Sequence, residues 1–129
     1  MIKINNNKYN NNKIKITYGN YSITKDGERK NGKSPFICFK CNNIYIGIET
    51  IYDKILLDEM TLNTKKDITE YITDITYEDE KGWISLISYS NHKCILNKIS
   101  DKLFKIELIC NYEDTEEKIE IIINEIINI

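Results

Sequence analysis

Alternation of apolar and polar residues runs through much of this chain, and alternation is the period of a half-buried β-strand. Between Lys13 and Lys25 the apolar and aromatic positions are Ile14, Ile16, Tyr18, Tyr21 and Ile23, with Gly19-Asn20 in the middle. Gly-Asn suits the positive-φ positions of a tight turn. The pattern therefore predicts a hairpin of Lys13–Tyr18 with Tyr21–Lys25, in which Tyr18 faces Tyr21 and Ile16 faces Ile23. A second hairpin is predicted where Phe36 to Cys41 and Ile44 to Ile48 flank Asn42-Asn43. There Ile37, Phe39, Cys41, Ile44, Ile46 and Ile48 gather on one face. Beyond Glu80-Lys81-Gly82 the chain reads as a meander of Trp83–Tyr89, Lys93–Ile99 and Leu103–Asn111.

Helical spacing appears in fewer places. Thr64-Lys65-Lys66-Asp67 has the form of a capping box, and Ile68, Tyr71, Ile72 and Ile75 follow at i, i+3, i+4, i+7, so one helix is predicted near 65–76. Residues 50–62 fit helix and strand equally. The tail, 116–129, does so too, with Ile119, Ile122, Ile123 and Ile126 at helical spacing and Ile119, Ile121 and Ile123 at strand spacing. The predicted fold is mainly β, or α+β: an antiparallel sheet or sandwich with one helix near 65–76 and room for a second helix at the C-terminus. Residues 1–12, with their Asn-rich near-repeat, are expected to form a flexible arm or loop, and 13–129 a single β-rich domain.

Composition changes how these signals are weighed. The 129 residues contain no Ala, Val or Gln and a single Arg, with a large excess of Ile, Asn, Lys and Tyr, all residues with A/T-rich codons. An AT-rich gene explains Ile in place of Val and Lys in place of Arg, so position carries more information than identity. No stretch approaches the ~18 apolar residues of a membrane span and the opening is polar, which together predict a soluble, cytoplasmic protein. Residues 1–40 carry nine Lys or Arg against Asp26 and Glu28, and the chain as a whole is −2, so the remainder is strongly acidic. A dipolar fold is expected.

Four motifs invite a chemical reading. Gly27 to Ser34 satisfies the phosphate-loop pattern G-x-x-x-x-G-K-[ST], yet Pro35 and a strand-like segment follow where the motif needs a helix. Cys38-Phe39-Lys40-Cys41 has the spacing of a zinc knuckle, but residues three apart on a strand face opposite sides. The expectation is that Cys38, Cys41, Cys94 and Cys110 are reduced structural thiols and that no metal or other cofactor is bound. His92 is the sole histidine and falls in a predicted turn, where no nucleophile or orienting partner can be located. Lysines interleaved with Tyr9, Tyr18 and Tyr21 resemble a nucleic-acid surface only superficially, given a pI of about 5.5.

Carboxylates form two clusters, Glu78, Asp79 and Glu80, and Glu113, Asp114, Glu116 and Glu117. Both lie beside predicted strand ends, and grouped charge of one sign steers an oppositely charged partner. These seven are the candidate partner-binding residues. Two function classes are carried forward. One is a non-enzymatic binding protein that occupies the surface of a protein partner, basic in character, as inhibitor or immunity-type proteins do. The other is a small hydrolase or ligand-binding enzyme centred on His92 and neighbouring carboxylates.

Overall fold

A computed structural model describes all 129 residues. The chain forms eleven strands, β1 (Ile2–Ile4), β2 (Asn7–Tyr9), β3 (Lys13–Lys25), β4 (Glu28–Cys41), β5 (Ile44–Thr50), β6 (Lys65–Asp67), β7 (Ile72–Asp79), β8 (Gly82–Ser85), β9 (Ser90–Lys98), β10 (Leu103–Glu113) and β11 (Lys118–Asn128), with one short helix, α1 (Lys54–Glu59). They make two sheets, in the order β2-β1-β11-β10-β9-β6 and β3-β4-β5-β7-β8. Every pairing is antiparallel. The mainly β, antiparallel architecture is the one the alternation implies. No helix is long and apolar enough to cross a membrane.

The sheets share one core because alternate residues of both turn inward. Phe104, Ile106, Leu108, Cys110 and Tyr112 of β10 and Ile119, Ile121, Ile123 and Ile127 of β11 are buried with Ile37, Phe39 and Cys41 of β4 and Ile46 and Ile48 of β5. Each full burial of an Ile or Phe side chain contributes about 1.5–3 kcal/mol relative to exposure. The β4–β5 hairpin matches its prediction, with Cys41 opposite Ile44 and Asn42 at φ +54° in the turn.

Four expectations are corrected. The opening residues are not a loose arm: Ile2 and Ile4 are buried, β1 pairs with β11, and Asn5 and Asn6 adopt φ +47° and +74° in the β1–β2 turn. Asn tolerates the left-handed region, so the Asn-rich run supplies turn residues. Gly19-Asn20 is not a turn. β3 runs straight through it and pairs with β4, and the turn falls at Asp26-Gly27, φ +54° and +77°. That register sets Ile14 opposite Phe39 and Ile16 opposite Ile37, whereas a turn at Gly19 would fold β3 on itself and leave β4 without a partner on that side.

The helix predicted near 65–76 is instead β6, a single 3₁₀ turn (Thr69–Tyr71) and most of β7. Asp67 accepts hydrogen bonds from the Thr69 N–H and hydroxyl instead of completing a capping box, and Thr64 donates to Thr61 O. The β-branched run Ile68, Thr69, Ile72, Thr73, Ile75 and Thr76 loses more side-chain freedom in a helix than on a sheet. Ile72 and Ile75 pair instead with Thr50 and Ile48 of β5. Trp83–Tyr89 is strand only to Ser85; a 3₁₀ turn (Ile87–Tyr89) then carries the chain across to the other sheet. The two undecided segments resolve as α1 and as β11, the latter paired along its length with β10.

One feature extends beyond the core. β5 covers β4 only from Phe36 to Cys41, so Gly19–Ser34 forms a two-stranded ribbon. Its base is held by α1: Tyr21 Oη donates to Asp53 Oδ2 at 2.6 Å, and Lys54 Nζ lies 5.1 Å from the centre of the Tyr18 ring. Gly32 leaves room for this contact, because a Cβ there would displace the Asp53 carboxylate and the Tyr21 ring. Asp53 also caps α1, accepting from the Ile55 N–H. The other end of α1 is held by Lys98, a buried inward lysine of β9 whose ammonium donates to Leu57 O and Asp58 O at 3.2 and 3.1 Å.

Candidate functional site

At the end of the sandwich opposite the ribbon, the β7–β8 and β10–β11 turns bring side chains from both carboxylate clusters together. Asp79 and Glu117 line one hollow of about 230 Å³ with Tyr77, Lys81, Gly82, Trp83 and Ile84. Asp79 is fixed locally, its carboxylate accepting the Lys81 N–H at 2.9 Å. Burial, the charge and hydrogen bond of Asp79, and the nearby Tyr9 and Glu117 push the Tyr77 phenol up to about 12. Asp114 closes the neighbouring turn: it accepts from Tyr112 Oη at 2.6 Å and from the N–H groups of Glu116 and Glu117 at 2.7 and 2.6 Å. These bonds hold its carboxyl below the usual carboxylate range.

Trp83 is the centre of this end. It stands on the edge strand β8, 70% exposed, and forms a wall shared by two hollows. The second hollow, about 260 Å³, lies on the outer face of the five-stranded sheet, where Glu78 sits cross-strand from both Tyr45 and Trp83. A tryptophan this exposed leaves much of its large apolar surface in water, and aromatic residues with a polar rim are what protein interfaces concentrate. Of the seven candidate carboxylates, Asp79 and Glu117 share the first hollow and Glu78 belongs to the second. Glu80 and Glu116 are exposed at their turns, Asp114 is engaged in holding its own loop, and Glu113 lies opposite Lys118 at the end of β10. Sequence reasoning missed Trp83 and Tyr45; the available signal was the sole tryptophan three residues from an acidic turn.

The other candidates are placed differently. His92 lies on β9 rather than in a turn, opposite Cys110; its Nδ1 is 3.1 Å from Ser90 Oγ and no carboxylate pairs with the ring. Gly27 forms part of the ribbon turn and Glu28–Ser34 is extended strand, where successive N–H groups point to opposite sides and cannot converge on a phosphate. Cys41 is buried in the core, whereas Cys38 is half-buried in the outer hollow. Burial pushes up all four thiols, Cys41 to about 11 and Cys94 to about 12, so they stay protonated at neutral pH. No group of three His, Cys, Asp or Glu side chains converges as a metal site would require.

Fold and site together define a two-sheet antiparallel β-sandwich with an aromatic and acidic end. Comparisons with protein-family models, with curated proteins and with solved structures found no match.

Proposed function

We propose that this chain is a non-enzymatic binding domain that occupies the surface of a basic protein partner, as inhibitor or immunity-type proteins do. The observation that carries the reading is Trp83, 70% exposed and flanked by Glu78 on one side and by Asp79 and Glu117 on the other. Binding energy concentrates at buried aromatic anchors, and a charged rim mainly sets the encounter rate. The ribbon projects from the far end and carries Lys25, Arg29, Lys30 and Lys33 against Asp26 and Glu28, so its balance is basic and disfavours a basic protein there. Like-charge repulsion at the ribbon would favour encounters at the Trp83 end.

The test is capture of a partner from the native host by the wild-type chain and by Trp83→Ala, with the partner identified and the pair then reconstituted from purified components. Trp83→Ala should weaken the complex by at least tenfold, the loss typical of an interface anchor, without lowering the melting temperature. Amides at Glu78, Asp79 and Glu117 should slow association at low salt and have little effect at ~1 M, where the Debye length is ~3 Å. Undiminished binding by Trp83→Ala would overturn the reading.

A further inference from the structure

The hollow on the outer face of the five-stranded sheet has a more specific chemistry than a general contact surface. Across β4, β5, β7 and β8 one row of cross-strand partners reads Lys40, Tyr45, Glu78, Trp83. Directly opposed side chains in an antiparallel pair stand ~5 Å apart at Cβ, so the Glu78 carboxylate is placed between two aromatic side chains. Both are open to solvent, Tyr45 at 38% and Trp83 at 70%. Glu78 itself is exposed and takes part in no side-chain hydrogen bond or ion pair. Of the cations on this face, Lys40 sits over the Tyr45 ring at 5.5 Å, and Lys13 and Lys15 of β3 stand opposite Lys40 and Cys38, further from Glu78.

The floor of the hollow is made by the next row, Cys38, Gly47 and Thr76. A Cβ on Gly47 would stand 2.6 Å from Thr76 Oγ1 and 3.0 Å from the Phe36 ring, so glycine is what leaves the depression open. Its volume, about 260 Å³, lies below the ~300 Å³ at which small-molecule pockets begin, and suits a single side chain. A carboxylate flanked by aromatic rings selects a cation. A guanidinium uses every part of it, stacking its plane on the rings and forking two N–H groups onto the carboxylate, whereas an ammonium is a compact, strongly hydrated point charge.

We propose that this slot takes an arginine side chain of the protein partner. The proposal rests on the binding-domain reading above and names the partner's anchoring group. Because Trp83 is the only tryptophan, its fluorescence reports on the slot directly. The full chain is titrated at constant ionic strength with N-acetyl-arginine amide, N-acetyl-lysine amide and the neutral isostere N-acetyl-citrulline amide. The arginine probe should give a saturable change, the lysine probe should bind several-fold more weakly, and the citrulline probe should not saturate. Glu78→Gln should weaken the arginine probe about tenfold, the loss expected when a charge-assisted hydrogen bond becomes neutral. Tyr45→Leu should weaken it as well. Glu107→Gln, on the other sheet, should bind as wild type does, and melting temperatures should show all three variants folded.

Equal response to arginine and citrulline, equal affinity for arginine and lysine, or unchanged affinity in Glu78→Gln would overturn the proposal. The two readings fail separately. If Trp83→Ala loses the partner but no Glu78-dependent arginine binding is found, the slot assignment falls and the binding surface stands. If arginine binds through Glu78 while Trp83→Ala keeps the partner, the binding-domain reading falls and takes the partner's arginine with it.

Discussion

The two ends of this sandwich are built on different principles. At the Trp83 end the strands stop where the core stops, and the turns between them are closed by their own carboxylates, Asp79 onto Lys81 and Asp114 onto Glu116, Glu117 and Tyr112. At the other end β3 and β4 continue past the core as a ribbon whose strands hydrogen-bond only to each other. Strand pairing is equally regular in both places. What differs is burial: β4 is buried at Ile37, Phe39 and Cys41 and exposed at every residue from Glu28 to Asn31. A two-stranded ribbon without a packed face is marginally stable in water. The ribbon therefore depends on a chain of tethers, from Tyr21 to Asp53, from Asp53 to α1, and from α1 to Lys98. A rigid rim is suited to presenting an anchor such as Trp83, and a tethered ribbon is suited to moving.

The sharpest test of that contrast uses one hairpin. Phe39 and Ile23 both belong to the β3–β4 pair, one fully buried and the other 36% exposed on the ribbon. Phe39→Ala should cost about 3–5 kcal/mol in denaturant unfolding, the usual loss for a buried aromatic ring. Ile23→Ala should change stability by less than ~0.5 kcal/mol. Comparable losses at the two sites would mean that strand pairing and not burial carries the hairpin.

A smaller effect should follow from Lys98→Ala. It removes a charged donor from Leu57 O and Asp58 O, and hydrogen bonds to charged groups contribute about 1.5–3 kcal/mol. Amide exchange should show where the loss falls: α1 and then the ribbon should lose protection before β10 and β11 do. Uniform loss across both sheets would break the tether chain and leave Lys98 as an ordinary core residue.

The alternating strands and the two-sheet class were legible in the sequence because inward positions such as Phe104, Ile106 and Leu108 alternate without interruption. Two errors share one cause. Gly19-Asn20 and the Thr64 box are local signals, each adequate for a turn or a helix start by itself, and each lost to a long-range pairing that buries more. Ile14 and Ile16 pack, half-buried, against the core only if β3 runs on to pair with Ile37 and Phe39, and Ile72 and Ile75 reach it only as a strand beside β5. Of the candidate site, the carboxylates were visible as charge runs. That Asp79 and Glu117 share a hollow was not, since it depends on which ends of β7 and β11 the sheets superpose. Trp83 was seen only as a strand residue, because a single chain does not reveal that β8 is an edge.

The smallest expected effect concerns one bond at the rim, seen from both of its partners. Tyr112 Oη donates to Asp114, and that bond is the main reason the Asp114 carboxyl lies low and the Tyr112 phenol is pushed up to about 12. A carboxyl with a depressed folded value stabilises the fold above its ordinary pKa of ~3.9, and the contribution is lost as pH falls through the lower folded value. A phenol with a raised folded value stabilises it below ~10, and that contribution is lost as pH rises from there through about 12. Melting temperature against pH should thus fall more steeply at both extremes for wild type than for Tyr112→Phe, which loses the bond but keeps the ring. Because Asp114 is only half-buried at its turn, the difference should be small and should shrink with added salt. Asp114→Asn should flatten the acid limb further, since the Glu116 and Glu117 N–H groups then face a side chain that no longer titrates. If the wild-type and Tyr112→Phe curves run parallel from acid to alkali, the rim is not held by this bond, and the contrast between a self-closed end and a tethered one loses its electrostatic half.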